Sequence, residues 1–228
     1  MKLTLPVALS FNAGYVDTSG FLALQGLFTA HVTGNFVTFG AAMVHGTSGA
    51  LTKLLALPVF CVVVIVSRLL GPALAARGLP DLRILMGLKV LLLAMAAALF
   101  IGVGPFPNSD AAPAMLAGML LVAAMAIQNG IHRTHLTDAA PSTLMTGSTT
   151  QIMVDITDLM RGVAEPQRQA VHARLKKLAF NVVAFAIGCG IAALVYVLSG
   201  MWVFLLPPLV ALAAFALPNA TPVPAAKP

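Results

Sequence analysis

Asp17 is the residue of this chain whose type and position most clearly suggest chemistry. Its carboxylate lies inside a long apolar stretch, where a charged group costs at least about 2.5 kcal/mol on membrane-insertion scales. Neighbours on the same helical face, such as Gly14 and Gln25, are small or polar, which favours the interior of a helix bundle. We interpret Asp17 as a proton or cation site. The alternative is a structural carboxylate, capped by backbone amides or paired with Lys89 or an arginine.

Two short polar motifs could form a binding site together with this carboxylate. They are Thr33-Gly34-Asn35 and Thr146-Gly147-Ser148. Thr and Asn side chains can cap exposed helix amides, and glycine permits close backbone approach, so each motif could open a half-helix. A helix N-terminus within a membrane favours an anion or a polar substrate group. The alternative is tight helix packing through small residues and interhelical hydrogen bonds.

A second acidic face follows the later motif. Gln151, Asp155 and Asp158 are spaced i, i+4 and i+7, so they share one side of a helix. Asp158 is predicted to pair with Arg161 at the membrane surface, where such pairs are common and weak. Asp155 lies deeper, and we interpret it as a secondary cation or proton site.

Histidine and amide side chains supply further candidates. His31 precedes Thr33 and is either a titratable group in a cavity or a packed neutral histidine. Asn129 and its neighbour Gln128 either line the same cavity or form interhelical hydrogen bonds. His132 and His135 could share a metal, but no Cys, Asp or Glu completes the site locally. We therefore expect no metal and no cofactor.

The composition defines the environment in which these groups must be positioned. Of the 228 residues, 59% are hydrophobic and 9% are charged, whereas soluble domains carry about 25% charged residues. This predicts an integral membrane protein and argues against a nucleic-acid binder, despite the net charge of +6. Cys61 and Cys189 lie in apolar runs, which argues against a disulfide framework. The sequence contains no H-E-x-x-H, G-x-S-x-G or Walker motif, so we do not expect an enzyme.

Hydrophobic runs predict an all-α membrane protein with six transmembrane helices. The six apolar spans are residues 5–27, 54–76, 84–103, 113–131, 178–198 and 201–217. Two shorter segments, residues 31–44 and 144–160, are richer in polar residues and are predicted to be re-entrant or broken helices. Residues 1–112 and 113–217 form two membrane repeats, and residues 218–228 are a proline- and alanine-rich tail predicted to be disordered.

Basic residues predict the orientation of these spans. Arg77 and Arg83 flank one connection and several basic residues fill 161–177, whereas residues 104–112 and the Ser199-Gly200 connection contain no Lys or Arg. Since short cytoplasmic loops collect Lys and Arg, we expect both termini to be cytoplasmic. Six crossings place every basic residue except Lys53 and Lys89 on the cytoplasmic side. Lys89 then lies within a span, as a snorkelling or packed lysine or paired with an acidic residue.

The two halves of the chain also share a pattern. Asn12 and Gly14, followed by Thr33-Gly34-Asn35, align with Asn129 and Gly130, followed by Thr146-Gly147-Ser148. Each half then contains a span, a polar segment and two further spans. Because each half has an odd number of crossings, the second is inverted relative to the first, an arrangement typical of secondary transporters.

Several strings resemble a known family. Gly14-Tyr15-Val16-Asp17, Gly20-Phe21-Leu22-Ala23-Leu24 and His31-Val32-Thr33-Gly34-Asn35 resemble the N-terminal signature of the YoaK-like bacterial membrane proteins, a family long labelled a domain of unknown function. Ala126-Ile127-Gln128-Asn129 and Thr146-Gly147 are similar to its second signature. The resemblance implies a six-helix protein of the bacterial cytoplasmic membrane, sometimes suspected of transport, with no established substrate. Ser148 departs from Asn35 of the first half.

These patterns lead to two functional hypotheses. The first is a small secondary transporter or permease of the bacterial inner membrane, which moves a small molecule or an ion through a polar midplane cavity coupled at Asp17. Because six helices make a small transporter, its partners in the lipid bilayer could include a second copy in a homodimer. The alternative is a non-transporting scaffold or regulator whose basic segment at 161–177 binds anionic lipid or a partner.

Overall fold

The computed structural model describes residues 4–215 and 217, and this part of the chain is entirely helical, with no strand. The predicted disordered tail, residues 218–228, lies outside the described residues. In chain order the helices are α1 (Leu5–Ala23), α2 (Asn35–His45, preceded by a 3-10 turn at Val32–Gly34), α3 (Ala50–Ala75), α4 (Asp81–Val103), α5 (Ala112–His135), α6 (Met145–Arg161), α7 (Gln167–Ser199) and α8 (Leu206–Phe215, preceded by a 3-10 stretch at Gly200–Leu205).

Within the described residues, four helical stretches are long and apolar enough to cross a membrane. They are α3, α4, α5 and the continuous stretch from Gln167 to Phe215. Large aliphatic side chains also cover the outside of the bundle: Val197 is 81% exposed and Leu198 is 75% exposed. A protein surrounded by water rarely presents so much apolar surface. The chain therefore has the character of a multi-pass membrane protein.

Each of the six predicted apolar spans contains a helix, although several ends differ from the prediction. Helix α1 stops at Ala23 rather than residue 27 because Gln25 and Gly26 adopt positive φ angles of 51° and 97°, which turn the chain back. Helix α7 begins at Gln167, well before residue 178. The prediction missed its first turns because they are rich in polar residues, which a hydrophobic window does not detect.

Helices α1 and α7 cross so closely that glycine is required at the point of contact. A Cβ atom added to Gly14 would lie 2.2 Å from the carbonyl oxygen of Phe185, and one added to Gly188 would lie 2.2 Å from that of Phe11. Only glycine allows the two backbones to approach this closely. This contact fixes the height and angle at which α1, with its polar groups, enters the bundle.

Other contacts close the end of the bundle opposite to the start of α1. The Tyr15 hydroxyl donates a hydrogen bond to the Val203 carbonyl at 3.0 Å, and the Phe100 and Phe204 rings stack with centroids 3.6 Å apart. Asp110, in the connection between α4 and α5, caps α3 by accepting hydrogen bonds from the Gly49 and Thr52 amides, both at 2.9 Å. These contacts tie α1, α3 and α4 together at one end.

Candidate functional site

After α1 the chain folds back on itself instead of continuing away from the bundle. The segment comprising residues 24–49, here called the first returning segment, begins and ends at the same place, since the Ser48 hydroxyl donates a hydrogen bond to Gln25 Oε1. Between these ends it descends along α1 as far as Asp17, which lies six residues before the helix end, or roughly 9 Å along the axis. Helix α2 then brings the chain back.

Asp17 holds the tip of this segment. Its side chain is 5% exposed. Oδ1 accepts hydrogen bonds from the Thr29 and Ala30 amides at 2.7 and 2.8 Å and from the Thr29 hydroxyl at 3.2 Å. Oδ2 lies 2.6 Å from Nδ1 of His31. The partners of the carboxylate are thus two backbone amides, a hydroxyl and a histidine, and not Lys89. Such charge-assisted hydrogen bonds make Asp17 the anchor of the tip.

The Thr33-Gly34-Asn35 motif stands at the start of a half-helix, as predicted, but its side chains do not cap it. Helix α2 begins without any side-chain cap. Asn35 instead accepts a hydrogen bond from the Phe28 amide at 2.8 Å and donates one to the Phe28 carbonyl at 2.7 Å. Gly34 packs closely on the Phe28 ring, since an added Cβ would lie 3.0 Å from it. The predicted capping role of Asn35 is therefore wrong, because its side-chain amide binds the Phe28 backbone earlier in the first returning segment.

The chain also folds back after α5. The second returning segment, residues 136–161, first runs back along α5, where the Thr143 hydroxyl donates to Asn129 Oδ1 at 2.7 Å, and its helix α6 then packs on α7. Asn129 and Thr143 are 14 residues apart, as are Asp17 and His31. Asn129 thus occupies the position of Asp17, not that of Asn12 as the sequence alignment suggested. The reason is that Asp and Asn both present an acceptor oxygen to the returning chain, whereas the side chain of Asn12 is buried with no partner among the described residues.

Gln128 connects three elements of the bundle. Its Oε1 lies 2.5 Å from Nζ of the fully buried Lys89, and its Nε2 donates to the Leu9 carbonyl at 3.0 Å and to the Ser142 hydroxyl at 2.9 Å. Of the two interpretations of Gln128, the structure supports interhelical hydrogen bonding. Lys89 is packed and bound to an amide oxygen, not to an acid. No sequence pattern indicates this pair, since Lys89 lies on α4 and Gln128 on α5, 39 residues apart.

A cavity of about 780 Å³, here called the central cavity, lies between the tips of the two returning segments. Its inner end is lined by His31 and Thr33 from the first tip, by Thr143 from the second tip and by Asn129 from α5. The His31 side chain is 34% exposed, so the imidazole bridges the buried Asp17 and the cavity. Of the predicted site residues, His31, Thr33 and Asn129 therefore meet at one cavity. Asp17 lies directly behind His31, and Gly34 and Asn35 shape the tip.

The outer end of this cavity is polar and charged. It is lined by Arg68 of α3, Asp81 of α4, and Arg133 and His135 of α5. Asp81 Oδ2 lies 2.8 Å from Nε2 of His135. All four residues stand near the end of the bundle where α3 and α5 finish and α4 begins. Sequence reasoning assigned the arginines to topology alone and missed their place in the cavity wall.

The remaining predicted site residues lie elsewhere. Gly147, Ser148 and Gln151 face a separate cavity of about 520 Å³ between α6 and α7. Asp155 is fully buried and forms a two-pronged contact with Arg174, with Nη2 at 2.6 Å from Oδ1 and Nε at 3.0 Å from Oδ2. Thr146 is exposed at the start of α6. The second returning segment thus reaches the central cavity through Thr143, and the Thr146-Gly147-Ser148 motif does not line it.

The paired histidines do not form a shared site. His135 is bound to Asp81, whereas His132 is buried one turn earlier. In the part of the chain that the structure describes, no group of three or more His, Cys, Asp or Glu side chains could hold a metal ion. Asp158 and Arg161, which were expected to pair, form no salt bridge there; the acidic partner of Arg174 is Asp155.

The helical bundle, with several apolar helices of membrane-spanning length, is compatible with a multi-pass membrane protein. The chain belongs to the family described as "Protein of unknown function (DUF1275)", whose family model matches residues 5–217. No curated protein and no solved structure matches the chain.

Proposed function

We propose that this protein is a small secondary transporter or permease of the bacterial cytoplasmic membrane. The observation that carries the proposal is the cavity between the two returning tips, with His31 on its wall and Asp17 behind it. Ionisable groups within a membrane are energetically costly and commonly mark the path of a substrate, an ion or a proton, and this pair lies beside a cavity of about 780 Å³. A scaffold whose polar motifs only lock helices together has no need of such a cavity.

The packing of the helices supports an inverted-repeat architecture with six crossings. When α1–α4 are matched in order with α5–α8, each helix contact has a counterpart. The contact of α1 with α7 corresponds to that of α5 with α3, and the contact of α2 with α3 corresponds to that of α6 with α7. The contact of α4 with α5 corresponds to that of α8 with α1. In this proposal α2 and α6 re-enter on opposite sides, and both termini are cytoplasmic, which the distribution of Lys and Arg among the connections supports. The resemblance to the YoaK-like signatures agrees with this assignment.

The proposed coupling group is the Asp17–His31 pair, rather than Asp17 alone. His31 reaches the cavity, and Asp17 fixes the orientation of its ring through the 2.6 Å contact at Nδ1. A histidine held this way can take up or release a proton at its other nitrogen as the content of the cavity changes. The matching pair of the second half, Asn129 and Thr143, carries no titratable group, so the proposal assigns proton exchange to the first half alone.

Transport itself is the test of this proposal. Metabolite uptake is compared, without a preselected substrate, between a deletion strain and strains that express the wild type, His31→Gln or His45→Gln. His45 is an exposed histidine at the far end of α2 and serves as the matched control. We expect one class of solute to follow the wild type and His45→Gln but not His31→Gln. If no solute distinguishes the wild type from the deletion, the scaffold hypothesis is supported instead.

A further inference from the structure

The charge on the wall of the central cavity is predominantly positive. Arg68 and Arg133 line it, and neither forms a salt bridge with any residue in the described part of the chain. Asp81 is the one acidic residue among the lining residues, and its carboxylate is already bound by His135. Asp17, behind the wall, is satisfied by four donors. The cavity therefore presents two arginines without an acidic partner from the described residues.

The two half-helices add to this positive potential. Helix α2 starts at the first tip and α6 starts just after Leu144, which also lines the cavity. Neither helix has an acidic residue in its first turn, and neither has a side-chain cap. The uncompensated amides of a helix N-terminus act as about half a positive charge. Both half-helices thus direct this end towards the middle of the bundle.

Arg68 is an exposed arginine within the apolar helix α3. It lies seven residues before the end of α3, or roughly 10 Å along the helix axis. An arginine at this depth is unfavourable in hydrocarbon unless it meets water or a negative partner. A bound anion in the cavity would provide such a partner.

We infer that the central cavity binds a small anion, with its carboxylate or phosphate group held by Arg68 and Arg133 and the remainder of the molecule towards Thr33 and Asn129. The volume of about 780 Å³ suits a small metabolite, since ligand pockets commonly measure about 300–1,000 Å³. Arginine forks bind both carboxylates and phosphates in two-pronged geometry. This inference rests on the proposed function, because it names the substrate class of the same cavity.

The test is ligand-induced stabilisation of the purified full-length protein in phosphatidylcholine nanodiscs. Inorganic phosphate and succinate are the anionic probes, and succinamide is the uncharged control at the same ionic strength. We expect the anions, but not succinamide, to raise the melting temperature with saturable dependence on concentration. Arg68→Gln and Arg133→Gln should each weaken the apparent affinity by about tenfold or more, the usual effect of losing a hydrogen bond to a charged group.

Two further variants make the result specific. Arg83→Gln removes an exposed arginine at the same end of the bundle that does not line the cavity, and it should bind as the wild type does. Arg68→Lys keeps the charge and should retain more affinity than Arg68→Gln, which guards against a simple folding defect. Equal stabilisation by succinamide, or anion binding that both Gln variants retain, would overturn the inference.

Two additional measurements distinguish a lipid headgroup from a soluble anion, and anion binding from transport. Nanodiscs with phosphatidylglycerol identify a lipid headgroup as the ligand if they stabilise the protein through Arg68 and Arg133 while soluble anions do not. Flux is measured separately in vesicles. Anion binding without flux supports the anion site and contradicts the transporter, whereas flux of a cation or a neutral solute without anion binding contradicts the anion site alone.

Discussion

Asp17 Oδ2 and His31 Nδ1 lie 2.6 Å apart, and this contact joins the middle of α1 to the tip of the first returning segment. One side chain comes from a regular helix and the other from the irregular chain that folds back beside it. The pair therefore anchors the local structure and connects the buried carboxylate to the cavity wall.

Asp17→Asn should leave a folded protein and abolish any proton-linked flux. The amide oxygen can still accept hydrogen bonds from Thr29 and Ala30, but the charge that orients His31 is lost. We expect a loss of about 1–3 kcal/mol in the free energy of unfolding, because hydrogen bonds to a charged group become neutral ones. Thermal unfolding and flux in vesicles measure the two effects. Full flux in Asp17→Asn would show that the pair is architectural.

Asn35→Ala should loosen the first tip. It removes both hydrogen bonds to the Phe28 backbone and leaves a buried amide and carbonyl without their partner. The expected cost is about 1–3 kcal/mol, measured by chemical denaturation in detergent. Asn35→Asp keeps the acceptor but sets a buried carboxylate oxygen against the Phe28 carbonyl, so it should be no more stable than Asn35→Ala. If Asn35→Ala is as stable as the wild type, the tip does not depend on this contact.

Cysteine accessibility should show that the first returning segment begins and ends on one side of the membrane. In a background without Cys61 and Cys189, Thr47→Cys and Asn108→Cys should both react with an impermeant reagent added outside, and Gln169→Cys should not. The reason is that Ser48 meets Gln25 at the same end of the bundle as the basic-free connection of residues 104–112. A Thr47→Cys variant that reacts only from inside would mean that α2 crosses the membrane. External labelling at Gln169 would contradict the six-crossing topology.

Gly188→Ala should disrupt the crossing of α1 and α7. The new methyl group would meet the Phe11 carbonyl at 2.2 Å, and overpacking of this kind costs about 1–3 kcal/mol or more. Gly190→Ala is the matched control on the same helix, since no atom lies within 4 Å of its added Cβ. The control should be neutral or slightly stabilising, because alanine favours a helix more than glycine does. Equal thermal stability of the two variants would contradict the close crossing.

The cap on α3 should give the protein a stability component that depends on pH. Burial raises the pKa of Asp110, but hydrogen bonds from Thr52 and Gly49 lower it, and the net pKa lies below the usual value. The cap therefore stabilises the fold above the unfolded-state pKa of about 3.9 and is lost as the pH falls through the lower pKa of the folded state. Asp110→Asn should cost about 0.3–1 kcal/mol near neutral pH, because it removes a negative charge from the N-terminus of α3. The difference from the wild type should shrink at pH 3, as denaturation at each pH can show, and a constant difference would rule out the charged cap.

The sequence predicted the helices well because hydrophobic length and glycine position are local properties. It also predicted that Asp17 is buried and that Thr33-Gly34-Asn35 opens a half-helix. It could not predict that Asp17 meets His31, because that contact depends on the direction in which the irregular chain after Ala23 turns.

For the same reason Asn129 was aligned with Asn12 instead of Asp17. Asn129 and Asp17 both accept hydrogen bonds from the returning chain although they are different residue types. Asn129 and Asn12 are the same residue type but make different contacts. The partners of Lys89 and Asp155 were also missed. Each is bound by a residue from another helix, Gln128 in one case and Arg174 in the other, and such pairings are fixed by packing angles that the chain order does not contain.

The glycine crossing of α1 and α7 has a mechanical consequence for the proposed transporter. The two helices belong to different halves of the chain, and their backbones touch at Gly14 and Gly188 with no side chain between them. Because the contact is backbone against backbone, one half cannot slide along the other without a clash, but it can rotate about the point of contact. In the proposed transporter this crossing would serve as a pivot. The tips that carry His31 and Thr143 lie off this axis, so a small rocking of the halves would move them apart or together and change the side from which the cavity is open.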